Sequence, residues 1–71
     1  MKGILVELRD METGKRIDFT TLSCDAPLSS RLDHAHRMKH KNEVCGVYVV
    51  EKEVDYDTKE IVVLNNYELV D

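Results

Sequence analysis

Two stretches of alternating apolar and polar residues, one on each side of a helical pattern, restrict the fold of this chain more than any other feature. In the first stretch, Gly3–Arg9, every second residue is apolar, which is the period of a half-buried strand. A loop containing Gly14 follows, and glycine readily supplies the positive φ that a short hairpin turn needs. The next run, Arg16–Leu22, alternates again. These residues predict a β-hairpin.

The second stretch contains the strongest strand pattern in the chain. Val44–Val54 alternates, and Glu60–Leu64 is apolar on both faces, so we expect a second, longer hairpin that is buried at its base. Asn65 and Asn66 have the composition of a bend. Tyr67–Val70 then predicts a short fifth strand.

Between the hairpins, residues 27–40 show the apolar spacing of an amphipathic helix. Asp25 can act as its N-cap, and Pro27 is tolerated in the first turn that follows. Ser30 with Asp33 offers a second, later capping arrangement. The stripe expected to face the sheet consists of Leu28, Leu32, Ala35 and Met38 or Lys39.

The 71 residues and their 42% hydrophobic content predict one small α+β domain spanning residues 1–71. Its sheet is mainly antiparallel, with four strands in the order β-β-α-β-β or five if the last segment pairs, and it carries one amphipathic helix. A chain this short buries only about 60% of its unfolded surface, so its core is thin. Many unrelated functions share such topologies.

Charge and cysteine content bound the setting of the protein. The net charge of −4 disfavours a purely electrostatic grip on nucleic acid. Two cysteines are too few for a disulfide scaffold, and we find neither a signal-peptide pattern nor an apolar run of membrane-spanning length. We therefore expect a cytoplasmic protein without membrane contact, and the residues indicate no cofactor.

An acidic ladder is the most unusual pattern in the chain. Its members would project from the tip of the second hairpin and repel one another, so we expect them to be exposed and to serve contact with a basic protein partner rather than stability. The same charges would also keep the tip soluble. The partner-binding residues predicted are Glu51, Glu53, Asp55, Asp57 and Glu60. The leading hypothesis is a small non-enzymatic interaction or regulatory protein of the adaptor or inhibitor type.

A nucleic-acid-binding module is the alternative function. Helix 27–41 carries a local excess of basic side chains that would form a cationic ridge for phosphate. No aromatic residue is interleaved with them, so the helix has no stacking platform, and an ordinary solvated helix face explains them as well. The residues of this ridge are Arg31, His34, Arg37, Lys39 and Lys41.

A zinc-stapled module is the third hypothesis. His36 and His40 lie four residues apart, so their imidazoles would share one helix face, and Cys24 and Cys45 would complete a tetrahedral set. No close Cys-x-x-Cys pair supports this pattern, and solvated histidines with small apolar cysteines explain it equally. No nucleophile, base and orienting group occur together, so we expect no enzyme.

The second hairpin also predicts the oligomeric state. Val47 and Val49 are apolar on one face, and Tyr48 and Val50 are apolar on the other. One helix can cover only one of these faces. Either a first hairpin that curls over the sheet as a small barrel or a second copy of the chain must cover the other face. We expect the second copy, in a homodimer formed through the sheet, which Val47→Asp or Val63→Asp would dissociate or unfold.

Overall fold

The computed structural model describes residues 1–69, in which two antiparallel hairpins lie side by side in one sheet and a helix links them. The elements are β1 (Lys2–Asp10), β2 (Arg16–Ser23), α1 (Leu28–Asn42), β3 (Val47–Asp55) and β4 (Ile61–Glu68). The strand order is β2-β1-β3-β4, so β1 and β3 form the centre. The predicted α+β fold of the order β-β-α-β-β is confirmed.

The hydrophobic core lies between α1 and one face of the central strands. Its buried members are Ile4, Val6, Leu8, Ala35, Met38, Val47, Val49 and Leu69. Ala35 faces the sheet as predicted, and Leu32 packs against the edge of the core. Leu28 is 50% exposed, so its predicted inward position is wrong. The apolar stripe that meets the core begins one turn later, at partly buried Leu32, and its fully buried members are Ala35 and Met38.

The ends of α1 are set by backbone conformation rather than by side-chain caps. Pro27 is the N-cap and no side chain caps the helix, so the predicted caps by Asp25 and Ser30 are not formed. At the other end Glu43 has a left-handed φ of 52°, and Gly46 with a φ of 65° turns the chain into β3. The third strand therefore begins three residues later than predicted. Within residues 1–69, no helix has the length and apolar content needed to cross a membrane.

The two hairpins close with the same six-residue turn. In each turn, an aspartate side chain accepts hydrogen bonds from the backbone N–H groups two and three residues ahead. The aspartate is Asp10 in the first turn and Asp55 in the second. A threonine hydroxyl two residues before the turn ends accepts the last N–H group. The left-handed fifth position is Gly14 in the first turn and Lys59, with a φ of 62°, in the second. The repetition of the turn was not predicted from the sequence.

The fourth strand corrects the prediction for the end of the chain. Asn65 and Asn66 do not form a bend, and β4 continues through them to Glu68. A register shift opposite Glu51 and Lys52 absorbs the irregularity, and the Asn65 side chain donates to the Glu51 carboxylate at 3.1 Å. The described residues therefore form four strands, and Val70 of the predicted fifth strand lies outside them.

A buried ion pair connects α1 to the second hairpin. Glu51 is 0% exposed, and Arg31 Nε donates to its Oε2 atom at 2.8 Å. The Tyr67 hydroxyl donates to the same oxygen at 3.2 Å, while Arg31 Nη1 donates to the Ala26 carbonyl oxygen at 2.9 Å. Burial, with the charge and hydrogen bonding of Glu51, raises the pKa of Tyr67 to about 12. One carboxylate therefore anchors the helix, β3 and β4.

We predict that Arg31→Met lowers the free energy of unfolding by about 3–5 kcal/mol, because it leaves the Glu51 carboxylate buried without its counter-ion. The double variant Arg31→Met/Glu51→Leu should recover much of this loss. Chemical denaturation measures both. Arg37→Met is the control, since Arg37 forms an exposed pair with Asp33 worth no more than about 0.5 kcal/mol. Equal effects at positions 31 and 37 would contradict the assignment.

We predict that Lys59→Gly stabilises the protein by about 1 kcal/mol, because a left-handed φ is strained for lysine and free of strain for glycine. The reciprocal change, Gly14→Lys, should destabilise it by a similar amount. Thermal denaturation of the pair checks the shared turn. A loss of stability in Lys59→Gly would show that the second turn does not have this conformation.

Candidate functional site

The acidic residues predicted to bind a partner do not form one exposed row. Glu51 is fully buried, so its predicted exposure is wrong. The alternation of β3 places Glu51 on the face that carries α1, where Arg31 covers it. Glu53 and Asp55 are half-buried, whereas Asp57 and Glu60 are exposed.

Most of these carboxylates are also held by groups of the same chain. Glu53 pairs with Lys2 Nζ at 3.4 Å, and Asp57 pairs with the amino group of Met1. The backbone N–H groups of the β3–β4 turn hold the pKa of Asp55 below its ordinary value. These local pairs explain why the ladder does not repel itself, and they weaken the field it was expected to present.

The basic ridge predicted on the helix is also shorter than expected. Arg31 is only 17% exposed and is bound to Glu51, so it is not available on the ridge. Arg37 pairs with Asp33 at 3.0 Å, one helical turn away. The other members are half-buried or exposed: His34, Lys39 and Lys41.

The four predicted zinc ligands are not brought together. Cys24 precedes α1 and Cys45 follows it, and a helix of 15 residues separates its ends by about 22 Å. Within residues 1–69, no group of three or more His, Cys, Asp or Glu side chains is arranged to hold a metal ion.

An open depression of about 360 Å³ lies near the end of the helix, lined by His36, Lys39, His40, Glu43 and Val44.

The face of the sheet opposite α1, called the open face below, has a different composition. The registers of the strand pairs place on it Leu5, Glu7, Arg9, Arg16, Phe19, Thr21, Tyr48, Val50, Lys52, Val54, Ile61, Val63, Asn66 and Glu68. Because the one helix of the described residues packs on the other side, no helix covers this face. It is the larger candidate site in the structure.

A charged cluster occupies the centre of the open face. Glu7 is 2% exposed, and three cations converge on its carboxylate. Lys52 Nζ lies 2.8 Å from Oε1, Arg9 Nη2 lies 3.2 Å from the same oxygen, and Arg16 Nη1 lies 3.3 Å from Oε2. Holding the cations inward lays their aliphatic stems along the sheet. This explains why Val50 is only 7% exposed without a covering helix.

The cations determine the ionisation of Glu7. Burial raises the pKa of its carboxyl group, but hydrogen bonds from Lys52 and Arg9 and their positive charges outweigh burial and hold the pKa below its ordinary value of 4.5. Glu7 is therefore ionised at neutral pH. One negative charge balances only one of the three cations, so the cluster keeps a net positive charge.

The second candidate site is the edge strand β4. Four consecutive large apolar residues are exposed on it, on both faces of the sheet: Ile61 59%, Val62 55%, Val63 59% and Leu64 44%. The helix packs mainly against β1 and β2, whereas β4 is the edge strand at the opposite end of the strand order. Contiguous apolar patches of a few hundred Å² on a small protein indicate an interaction site.

The open-face cluster was not among the predicted sites, although the sequence contains a signal for it. Glu7 lies in the middle of an otherwise apolar strand, and Lys52 breaks the apolar alternation of the third strand. Two opposite charges at interior strand positions indicate that the two strands are neighbours and that the charges meet. Arg16 and Phe19 could be assigned to the cluster only once the register was known.

The chain matches no protein-family model, no curated protein and no solved structure. The fold and its surfaces define the class: a single-helix α+β domain with an uncovered sheet face and an exposed apolar edge strand.

We predict that Glu7→Gln lowers the free energy of unfolding at pH 7 by about 1–3 kcal/mol, because three cations lose their shared negative charge and one of its two acceptor oxygens is replaced by an NH2 donor. Ionised Glu7, with its lowered pKa, stabilises the fold fully above pH 4.5, and this contribution is lost as the pH falls towards the folded-state pKa. Glu7→Gln should therefore flatten the loss of stability on acidification.

Denaturant titrations at neutral and acidic pH measure both effects. The matched control is Glu12→Gln in the exposed first turn, which should behave like the unmodified protein. A Glu7→Gln variant with the same acid dependence as the unmodified protein would contradict the role of the cluster.

Proposed function

We propose that this protein is a small, non-enzymatic interaction protein that works through protein–protein contacts at β4, and that the contact at β4 is with a second copy of the chain. The observation that supports this proposal is the run of four exposed apolar residues, Ile61–Leu64, on an edge strand. The proposed binding surface is therefore β4, and not the acidic tip of the second hairpin that the sequence predicted. Its setting is the cytoplasm, where exposed free thiols such as Cys24 and Cys45 stay reduced.

The outer edge of β4 has the properties of a strand that pairs. An edge strand presents unpaired N–H and C=O groups, and monomeric proteins usually protect such an edge with charge, proline or a covering element. No charged residue occurs in β4 between Glu60 and Glu68. A bulge is present at Leu64, but the residues before it are regular. Residues 61–64 therefore lack most of the usual protection.

Charge compatibility supports a second copy as the occupant. In an antiparallel pair of β4 strands, the two-fold axis passes through the apolar segment and each copy covers the other's valines. The bulge at Leu64 limits regular pairing to residues 61–63, so Glu68 of one copy stays away from Glu60 of the other. The pairing therefore brings no like charges together, which would be destabilising across strands.

The size of the patch sets the expected affinity. A segment of four residues offers a few hundred Å² per copy, less than the ~800 Å² per partner of a standard interface. We therefore expect a reversible dimer with a dissociation constant of about micromolar order.

We predict that Val63→Asp gives a folded monomer, because Val63 is 59% exposed and contributes little to the core. Val47→Asp should instead unfold the protein, because Val47 is 1% exposed. Sedimentation velocity over a concentration series, with circular dichroism to monitor folding, separates the two effects.

The matched test uses charge exchange across the axis. Val63→Lys should also be monomeric, and a mixture of Val63→Asp with Val63→Lys should regain the dimer, because the opposite charges lie close together. An unmodified protein that stays monomeric up to near-millimolar concentration contradicts the dimer. Dimers that persist in Val63→Asp place the contact elsewhere on the chain.

A further inference from the structure

The open face collects most of the aromatic residues of this protein. Phe19 and Tyr48 face this side by strand register. Tyr56 follows β3, and its ring lies on the open side of Gly3, where an added Cβ atom would come to 3.1 Å from ring carbon Cε2. Phe19 is 49% exposed and Tyr56 is 50% exposed. Three of the four aromatic residues in the sequence therefore lie on or beside the open face.

The same face holds more positive charge than it neutralises. Arg9, Arg16 and Lys52 converge on Glu7, and Glu68 at the edge strand is the one other acid among the paired residues of this face. Arg16 has 46% of its side chain exposed, and its guanidinium carbon lies 4.4 Å from the centre of the Phe19 ring. The guanidinium group therefore lies over one face of the Phe19 ring, and the two side chains form an exposed stacked pair.

We propose that the open face binds single-stranded nucleic acid, with Tyr56 and the Arg16–Phe19 pair stacking on bases and the cluster of Arg9, Arg16 and Lys52 receiving phosphate. Aromatic side chains on an open antiparallel sheet stack unpaired bases without needing base-edge contacts. Planar guanidinium groups bind phosphate and also stack on bases. This site is separate from β4 and adds a function to the proposed interaction protein.

The dimensions of the face suit a few nucleotides. Tyr56 lies against Gly3, and Tyr48 pairs with Arg9, so the two tyrosines are about 20 Å apart along β1 at 3.3 Å per residue. Phe19, opposite Glu7, lies between them along the sheet. A duplex would not fit, because its bases are stacked on one another and unavailable to the rings.

The net charge of −4 does not describe the open face, where the local charge is positive and sets the expected salt dependence of the affinity. Two carboxylates of β3 are engaged on the helix side of the sheet, Glu51 with Arg31 and Glu53 with Lys2. Glu68 faces the open side, but it lies on β4, at the opposite edge of the sheet from Arg16 and Phe19 on β2. Glu7 cancels one of the three cations, so about two phosphates are neutralised. At about −0.7 for each phosphate of a single strand, the logarithm of affinity against the logarithm of salt should have a slope of roughly −1 to −2.

The test is fluorescence anisotropy of the full-length chain with labelled oligo(dT), oligo(U) and a duplex of equal length, at several salt concentrations. We expect both single strands to bind and the duplex to bind at least tenfold more weakly. Phe19→Ala should weaken single-strand binding about 5- to 100-fold, the range of one lost stacking contact. Arg16→Gln should weaken it and also reduce the salt slope by about 0.7.

Two controls make the result decisive. Phe19→Leu keeps an apolar side chain without an aromatic face, so it should also lose affinity even if Phe19→Ala folds poorly. Arg37→Gln removes a cation from the exposed side of α1 and should leave binding unchanged. The proposal is overturned by absence of binding at low salt, by equal binding of duplex or polyglutamate, or by a loss in Arg37→Gln with none in the Phe19 variants.

Discussion

Two buried carboxylates on neighbouring central strands organise the rest of this molecule. Glu51 and Glu7 lie one rung apart along the β1–β3 pair and point to opposite faces of the sheet. Glu51 holds Arg31, and with it the helix, on one side. Glu7 gathers three cations on the other side. Each carboxylate is paired and hydrogen-bonded, which is the condition under which a buried charge is tolerated.

The sequence was sufficient to predict the order of the elements, because alternation and helical spacing are local properties. Glu51 was misplaced for the same reason: an acid in a strand has the local signature of an exposed residue. Its partner Arg31 is twenty residues away in the chain, and only the packing of α1 brings the two together. The bend expected at Asn65 failed similarly, since its amide is held by Glu51.

The candidate sites were less predictable than the fold. The acidic ladder and the basic helix stood out as runs of like charge in sequence, yet the structure pairs many of their members internally. The open-face cluster combines Glu7, Arg16 and Phe19 of the first hairpin with Lys52 of the second, so it is complete only in the assembled sheet. The side chains of its three cations also cover the centre of the open face, which we had expected a partner to cover. The apolar residues of β4 remain exposed, and a two-fold axis there would place the open faces of both copies on the same side of one continuous sheet.

The position of the β1–β3 pair also shapes how the chain folds. This central pairing joins Lys2 to Asp55, residues near opposite ends of the described chain, whereas each hairpin and the helix form from neighbouring residues. Local elements assemble in microseconds, but long-range pairing must first overcome the entropy of closing a large loop. We therefore expect the docking of one finished hairpin on the other to limit the folding rate. Arg9 and Arg16 can reach Glu7 within the first hairpin, but Lys52 joins them only when the second hairpin docks.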